Sequence, residues 1–321
     1  MPKSETRSRA LALLLGAIAL PAAEAQEPLI RSLAKAGPPE KCVNVLFVGD
    51  GYTKEREAKF WRDVDRYSSR LLNEPPFSWY KDKFDVRGLF VASADRGCDM
   101  DPQANKVRTQ LESHFDSPDG RLLIFKDHDR LRDLVQMAGD VDITFVMVDV
   151  EKYGGGGSVL PEVQVRGRAL PAPTFAAQDT PSFMIAIHEL GHSFADLADE
   201  YTDPASAKLF PLPADGKDLA AANVTLAGKF DPTSFATLRA TLKWRHLLEL
   251  PGAAQQKSWV VEGGYFRDSG VFRPWRTCMM FEFGARFCPV CMEEMAKAIV
   301  AASGDVWDDA AYHKKHPLKF W

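Results

Sequence analysis

The chain is 321 residues long, 45% hydrophobic and 26% charged, and its 40 basic and 44 acidic residues leave a formal charge of −4 at pH 7. Length and composition suit a globular enzyme, and the slight acidic excess gives no grip on a phosphate backbone, so no nucleic-acid partner is expected. Past the first 25 residues no apolar run approaches the roughly 18 residues that a membrane span needs, which excludes stable membrane insertion.

At the amino terminus Lys3, Arg7 and Arg9 precede an apolar run from Ala10 to Ala22, and Ala23-Glu24-Ala25 offers a small-x-small cleavage site before Gln26. This pattern predicts a removable signal peptide over residues 1–25 and a secreted or periplasmic mature protein, 26–321. No cysteine follows the run, so a lipid anchor is not expected. Val43 to Val48 reads as a continuous buried strand broken by Gly49-Asp50-Gly51, and Thr53 is placed to cap a helix whose Phe60, Val64, Tyr67 and Leu71 share one face. A dinucleotide fingerprint would need a third glycine where Lys54 stands. Further strands are predicted over Phe84 to Ala92, Arg121 to Phe125 and Asp142 to Val150, with a helix from about Leu131 to Met137. The order is α/β, helices packed on a twisted sheet. The four glycines at 154–157 follow a strand and read two ways: bare backbone that a peptide can approach closely, or a flexible surface loop.

The most informative segment runs from residue 188 to 201, His-Glu-Leu-Gly-His-Ser-Phe-Ala-Asp-Leu-Ala-Asp-Glu-Tyr. Thr180-Pro181 supplies an N-cap and a first helical residue, and Phe183, Ile187, Leu190, Gly191 and Phe194 recur at helical spacing. His188 and His192 then lie one turn apart on one face of a buried helix, able to share a metal ion, with Glu189 beside them as general base. Two histidines and a glutamate in such a helix cost desolvation unless something uses them. The nearest further ligands are Asp196, Asp199 and Glu200. If the helix continued, Asp196 would sit roughly 12 Å along the axis from His188, so the chain must turn back first. Asp199 is the first choice and Glu200 the alternative.

Beyond this helix the chain is loop-rich to about Thr233, then helical around Ser234 to Glu249 and again from Pro289 to Ala302. His313, Lys314, Lys315 and His316 read as a solvated tail.

The chain resembles the IgA-peptidase-like family of secreted zinc metallopeptidases, placed in the metzincin clan. The resemblance rests on Val43 to Thr53, Tyr153 to Gly157, His188 to Tyr201, Phe272-Arg273-Pro274, Cys278-Met279-Met280 and Phe287-Cys288-Pro289-Val290-Cys291, in that order. It implies a metzincin-like mixed α/β fold and one Zn2+ per chain. A Met-turn at Cys278 to Met280 would set Met280 beneath the metal, in a loop-rich carboxy-terminal half (202–321) that follows the sheet half (26–201) of a single catalytic domain. Two departures stand out. The glycine and the ligand that metzincins place seven and ten residues after the first histidine are Ala195 and Ala198 here, and the usual tyrosine two residues past the Met-turn methionine is Glu282. The extra amino-terminal β-domain of many members is not expected in a chain of this length.

Cys42, Cys98, Cys278, Cys288 and Cys291 make an odd count for an oxidising compartment. A bridge from Cys278 to Cys288 or Cys291 is expected, with Cys42 to Cys98 as a second pair. The expected function is zinc-dependent hydrolysis of a peptide or protein substrate, Glu189 serving the water and Tyr201 or Tyr265 the oxyanion. The competing reading is a secreted zinc-binding or adhesion protein without catalytic activity.

Overall fold

The computed structural model describes residues 27–103, 106–253 and 259–318; the segment read as a signal peptide lies outside them. In chain order the strands are β1 (Leu29–Ala34), β2 (Val43–Asp50), β3 (Phe84–Phe90), the short β4 (His114–Phe115) and β5 (Leu123–Ile124), β6 (Ile143–Val148), β7 (Gly155–Gly156), β8 (Val159–Val165), β9 (Arg168–Pro171), β10 (Thr174–Ala176), β11 (Thr225–Leu226), β12 (Val261–Gly264) and β13 (Arg267–Arg273). The α-helices are α1 (Glu57–Leu71), α2 (His128–Ala138), α3 (Ser182–Ala195), α4 (Pro204–Leu209), α5 (Phe235–Thr241), α6 (Pro289–Ala302) and α7 (Asp309–Lys315). The main sheet is ordered β1-β3-β2-β6-β10-β7, with a parallel centre and antiparallel strands at both edges. The fold is thus a mixed α/β sheet with packed helices, as the strand and helix pattern predicts.

Every residue of β2 is buried because both faces of the sheet are covered. Its side chains alternate between two cores. Val43, Val45 and Phe47 join the core under α1, α3 and α6, whereas Leu46 and Val48 join the core under α2 and the β8–β9 hairpin. β6 divides the same way, Ile143, Phe145 and Met147 against Val146 and Val148. Phe47 and Phe145 stack at 5.1 Å across the strand pair. A one-residue register slip would exchange both sets, so the pattern pins the sheet. The central strands point their carboxyl ends toward the start of α3, which leaves β10 through residues 177–181.

Local differences from the sequence expectations have visible causes. Thr53 does not cap α1; a short 3-10 turn, Lys54–Arg56, intervenes and Arg56 takes the N-cap position. Of the strand expected at Arg121 to Phe125 only Leu123–Ile124 pairs as β5, since Leu122 bridges to Gly155 instead and the Arg121 carbonyl accepts the Gly155 N–H. The helix expected over Ser234 to Glu249 breaks at extended Leu242: burying Leu242 and Trp244, whose Nε1 donates to the Trp259 carbonyl, overrides the helical periodicity.

Candidate metal centre

α3 runs under the sheet with Phe183, Ile187, Leu190 and Phe194 in the core. It starts one residue later than Thr180-Pro181 implies: Pro181 is the N-cap residue, and the Asp179 carboxylate, in place of Thr180, accepts from the Ser182 N–H at 3.0 Å and the Ser182 hydroxyl at 2.7 Å. It ends at Asp196, whose φ of 54° is the left-handed conformation usually left to glycine. Aspartate tolerates that region better than most residues, which is why no glycine marks the turn. The Leu197 N–H reaches back to the Gly191 carbonyl, and the chain reverses.

The reversal carries Asp199 onto the two histidines. Asp199 Oδ1 lies 3.0 Å from His188 Nε2 and 3.2 Å from His192 Nε2, and the two Nε2 atoms are 3.2 Å apart. The other ring nitrogens are committed: His188 Nδ1 faces the Met279 carbonyl at 2.8 Å and His192 Nδ1 the Leu197 carbonyl at 2.7 Å. Carbonyls only accept, so both Nδ1 atoms carry a proton and both Nε2 atoms turn inward. Two ring nitrogens and a carboxylate oxygen so close repel unless a proton or a metal cation stands among them. Burial opposes charge on His192, yet Asp199 outweighs it and lifts the imidazole to about 9; the same contacts hold Asp199 at about 2 against its own burial. The trio is built for a positive charge, and a divalent ion with nitrogen and oxygen ligands fits its donor set.

An open cleft of about 630 Å³ exposes this trio, lined also by Glu189, Tyr201 and Tyr265. Glu189 is fixed from two sides. Its backbone lies on α3, and its carboxylate lies against Gly157, where an added Cβ would fall 3.0 Å from Glu189 Cδ. The four glycines are therefore a close-packed edge and not a loose loop: a Cβ at 154, 155 or 156 would meet Phe115, the Thr174 carbonyl or Leu122 within 2.9 Å. Tyr201 packs its ring 6.4 Å from His188, and burial, with Asp199 and Glu189 nearby, keeps its hydroxyl protonated well above the ordinary tyrosine range. The Tyr265 N–H donates to the Asp199 carbonyl. Met280 is fully buried against α3, where a Cβ at Gly191 would lie 2.7 Å from its Sδ.

The remaining carboxylates sort clearly. Asp196 is solvent-exposed and pairs with Arg168 at 3.1 Å, away from the histidines. Glu200 is fully buried away from the trio, where its carboxylate accepts from Asn223 Nδ2 at 2.9 Å and from the Cys291 thiol at 3.2 Å.

The expected disulfides are not formed; all five cysteines are free and buried. Cys42 and Cys98 stand at opposite ends of β2, Cys42 just before Val43 and Cys98 beside Gly97, whose N–H bonds the Gly51 carbonyl. Eight residues of strand separate those ends by roughly 26 Å, far beyond disulfide reach. Cys278, Cys288 and Cys291 do converge, but as three thiols around Glu200.

Three contributors gave no sequence signal. Asn223 brackets the reversal, its side chain bonding the Ala198 N–H, the Ala198 carbonyl and Glu200. Phe283 packs edge to face with His188, ring centroids 4.9 Å apart, and Arg121 lies over Phe283 at 4.9 Å, near enough for its charge to act on Tyr201. All three are ordinary residue types, brought to the site only by long-range folding. At the carboxy terminus His246, His313 and Glu293 also cluster, but Lys297 already neutralises Glu293 at 2.7 Å.

A family model described as IgA Peptidase M64 matches residues 31–259, well over half of the chain and inclusive of α3 and Asp199. Cys278 to Cys291 lie beyond the matched span. No curated protein matches the chain.

Proposed function

The chain belongs to the IgA peptidase M64 family, and from that membership, which makes it a metallopeptidase acting on peptides or proteins, we propose that it is a secreted zinc peptidase whose ion is held by His188, His192 and Asp199. The observation that carries the assignment is the inward convergence of the two Nε2 atoms and Asp199 Oδ1 within 3.2 Å. Secretion is supported by the pattern of residues 1–25 alone.

When bound, zinc supplies a Lewis acid that lowers the pKa of a coordinated water to about 7. Glu189, one residue from His188 and lining the cleft against Gly157, would act as the base for a water attacking the scissile carbonyl and would pass that proton to the leaving amine nitrogen. The Tyr201 hydroxyl, kept protonated by its surroundings, donates to the developing oxyanion. Met280 backs α3 at Gly191 and serves as the apolar floor of the centre. Backbone carbonyls of Met279 and Leu197 hold the imidazoles in the tautomer that ligation requires.

The test is Glu189→Ala, which removes the base and leaves the ligands. The variant should keep its metal and its melting temperature and lose kcat/KM on a peptide library by roughly 10²–10⁴-fold. Wild-type turnover by the metal-loaded variant would overturn the role of Glu189, and absence of turnover by the metal-loaded wild type on broad peptide pools would overturn the peptidase reading.

A further inference from the structure

Directly behind the cleft, the Cys278, Cys288 and Cys291 sulfurs and a Glu200 carboxylate oxygen all lie within 4.8 Å of one another, and no residue of the four is more than 2% exposed. We propose that these four residues bind a second, structural zinc ion, closed to solvent and separate from the His188–His192–Asp199 centre.

The donor set and its placement both point this way. Three sulfurs and one carboxylate oxygen make a tetrahedral set for zinc, and Zn–S bonds of about 2.3 Å would place neighbouring donors about 3.7 Å apart, a contraction of about 1 Å at most from their present spacing. Cys288 is the N-cap residue of the 14-residue helix α6 and Cys291 lies in its first turn, where the helix dipole favours thiolate over thiol. Glu200 Oε2 is buried without any hydrogen-bond partner, although Oε1 has two. A bare carboxylate oxygen at that depth is a cost the fold carries only if something meets it.

The alternatives use fewer of these groups. A disulfide among the three cysteines would consume two sulfurs and leave one thiol and Glu200 Oε2 unpaired. A redox-active Cys-x-x-Cys pair needs an accessible thiolate, and these sulfurs have no solvent access. One dication satisfies all four ligands at once, and the buried guanidinium of Arg273, which acts on both Glu200 and Cys278, moderates the remaining negative charge.

The position of the cluster gives the ion a task. Glu200 follows Asp199 directly, and its N–H donates to the Met280 carbonyl at 2.7 Å. Cys278 immediately precedes Met279, whose carbonyl fixes His188. The second ion would clamp the segment that carries Asp199 to the segment that supports His188, so it positions the front centre without touching substrate. It also raises the expected zinc content from one ion per chain to two.

The experiment is elemental analysis and cobalt substitution of the full mature chain and two sets of variants. Wild-type protein should hold two zinc ions and His188→Ala/His192→Ala one. Cobalt in that double variant should give the near-ultraviolet absorption of thiolate-to-cobalt charge transfer, which nitrogen and oxygen ligands do not produce. Cys288→Ser and Cys291→Ser should lose that absorption and one zinc. If either cysteine variant fails to fold, the histidine variant decides the matter alone, because its remaining metal can come only from elsewhere. A metal-free histidine variant without the charge-transfer band would overturn the proposal, as would alkylation of the unfolded, unreduced protein showing a disulfide among Cys278, Cys288 and Cys291. Neither result bears on the peptidase assignment, which is read from Glu189→Ala.

Discussion

Gly157→Ala adds one methyl group and tests the placement of Glu189 more sharply than replacing the glutamate itself. The new Cβ would stand 3.0 Å from Glu189 Cδ and closer still to Oε2, while the Glu189 Cβ, at 3.5 Å, is already at ordinary contact distance. Carbon atoms prefer about 3.5–4.0 Å, so the carboxylate must retreat by about 0.5–1 Å while the stem of the side chain stays in place. The cost falls on position and not on fold: Gly157 does not need a left-handed conformation, and the obstructing atoms are the free end of a flexible side chain. A misplacement of about 1 Å at a catalytic group costs roughly 10²-fold, or about 2.7 kcal/mol of transition-state stabilisation. Steady-state kcat/KM on a peptide substrate should fall by that order, with metal content and melting temperature unchanged. Activity within a few fold of wild type would refute the placement of the carboxylate, and loss of metal together with activity would show that Gly157 supports the ligands instead.

Chelator competition should rank Asp199→Ala far below Asp196→Ala in metal affinity, the first losing more than the roughly 10–100-fold typical of an outer hydrogen-bond partner and the second almost nothing; equal effects would contradict the reversal at Asp196. Asn223→Ala leaves the buried Ala198 N–H and Glu200 Oε1 short of a partner, which should cost about 2–3 kcal/mol and lower Tm by roughly 4–10 °C, and an unchanged Tm would remove Asn223 from the scaffold. His316 stacks on Trp79 at 3.7 Å, and burial, reinforced by Lys315 and His313, lowers its pKa from 6.5 to about 4. The folded state prefers neutral imidazole, so this contribution to stability is complete above pH 6.5 and is lost as pH falls from 6.5 through 4. His316→Phe keeps a stacked ring and should flatten that part of the Tm-against-pH curve relative to wild type; identical slopes would dismiss His316 as its source.

The readable parts of this chain are those whose physics is local or periodic. Alternation of Val43 to Val48 across two cores is a property of six consecutive residues, and the four-residue spacing of His188 and His192 is a property of one helix. A length argument sets Asp196 aside, since a continued helix could not bring it back to His188, and leaves Asp199 and Glu200 as candidates. The unreadable parts depend on distant chain. Asn223 holds Ala198 from 25 residues away, and Arg121 comes near Tyr201 because Leu122 pairs with Gly155. The glycines at 154–157 were ambiguous between freedom and crowding, and crowding is visible only once Phe115, Leu122, Ile185 and Glu189 surround them. Pairing fails for the cysteines for the same reason: counting them cannot reveal a neighbour that is a glutamate 78 residues before the first of the three.

That glutamate explains why two adjacent carboxylates follow the helix. The two consecutive side chains turn to different partners, so Asp199 and Glu200 do not serve one ion. Asp199 faces the histidines, and Glu200 faces the sulfurs. The left-handed turn at Asp196 fixes the direction of this pair, and Asn223 fixes its depth by gripping Ala198 on both backbone groups. Swapping the pair, Asp199→Glu with Glu200→Asp, keeps charge and composition but lengthens one arm and shortens the other by a methylene. If each carboxylate is set for its own partners, the swap should weaken metal binding at the front centre and leave the sulfur cluster short of its oxygen. Wild-type zinc content and chelator resistance in the swapped protein would refute the division of labour, because only an adaptable, shared site tolerates that exchange.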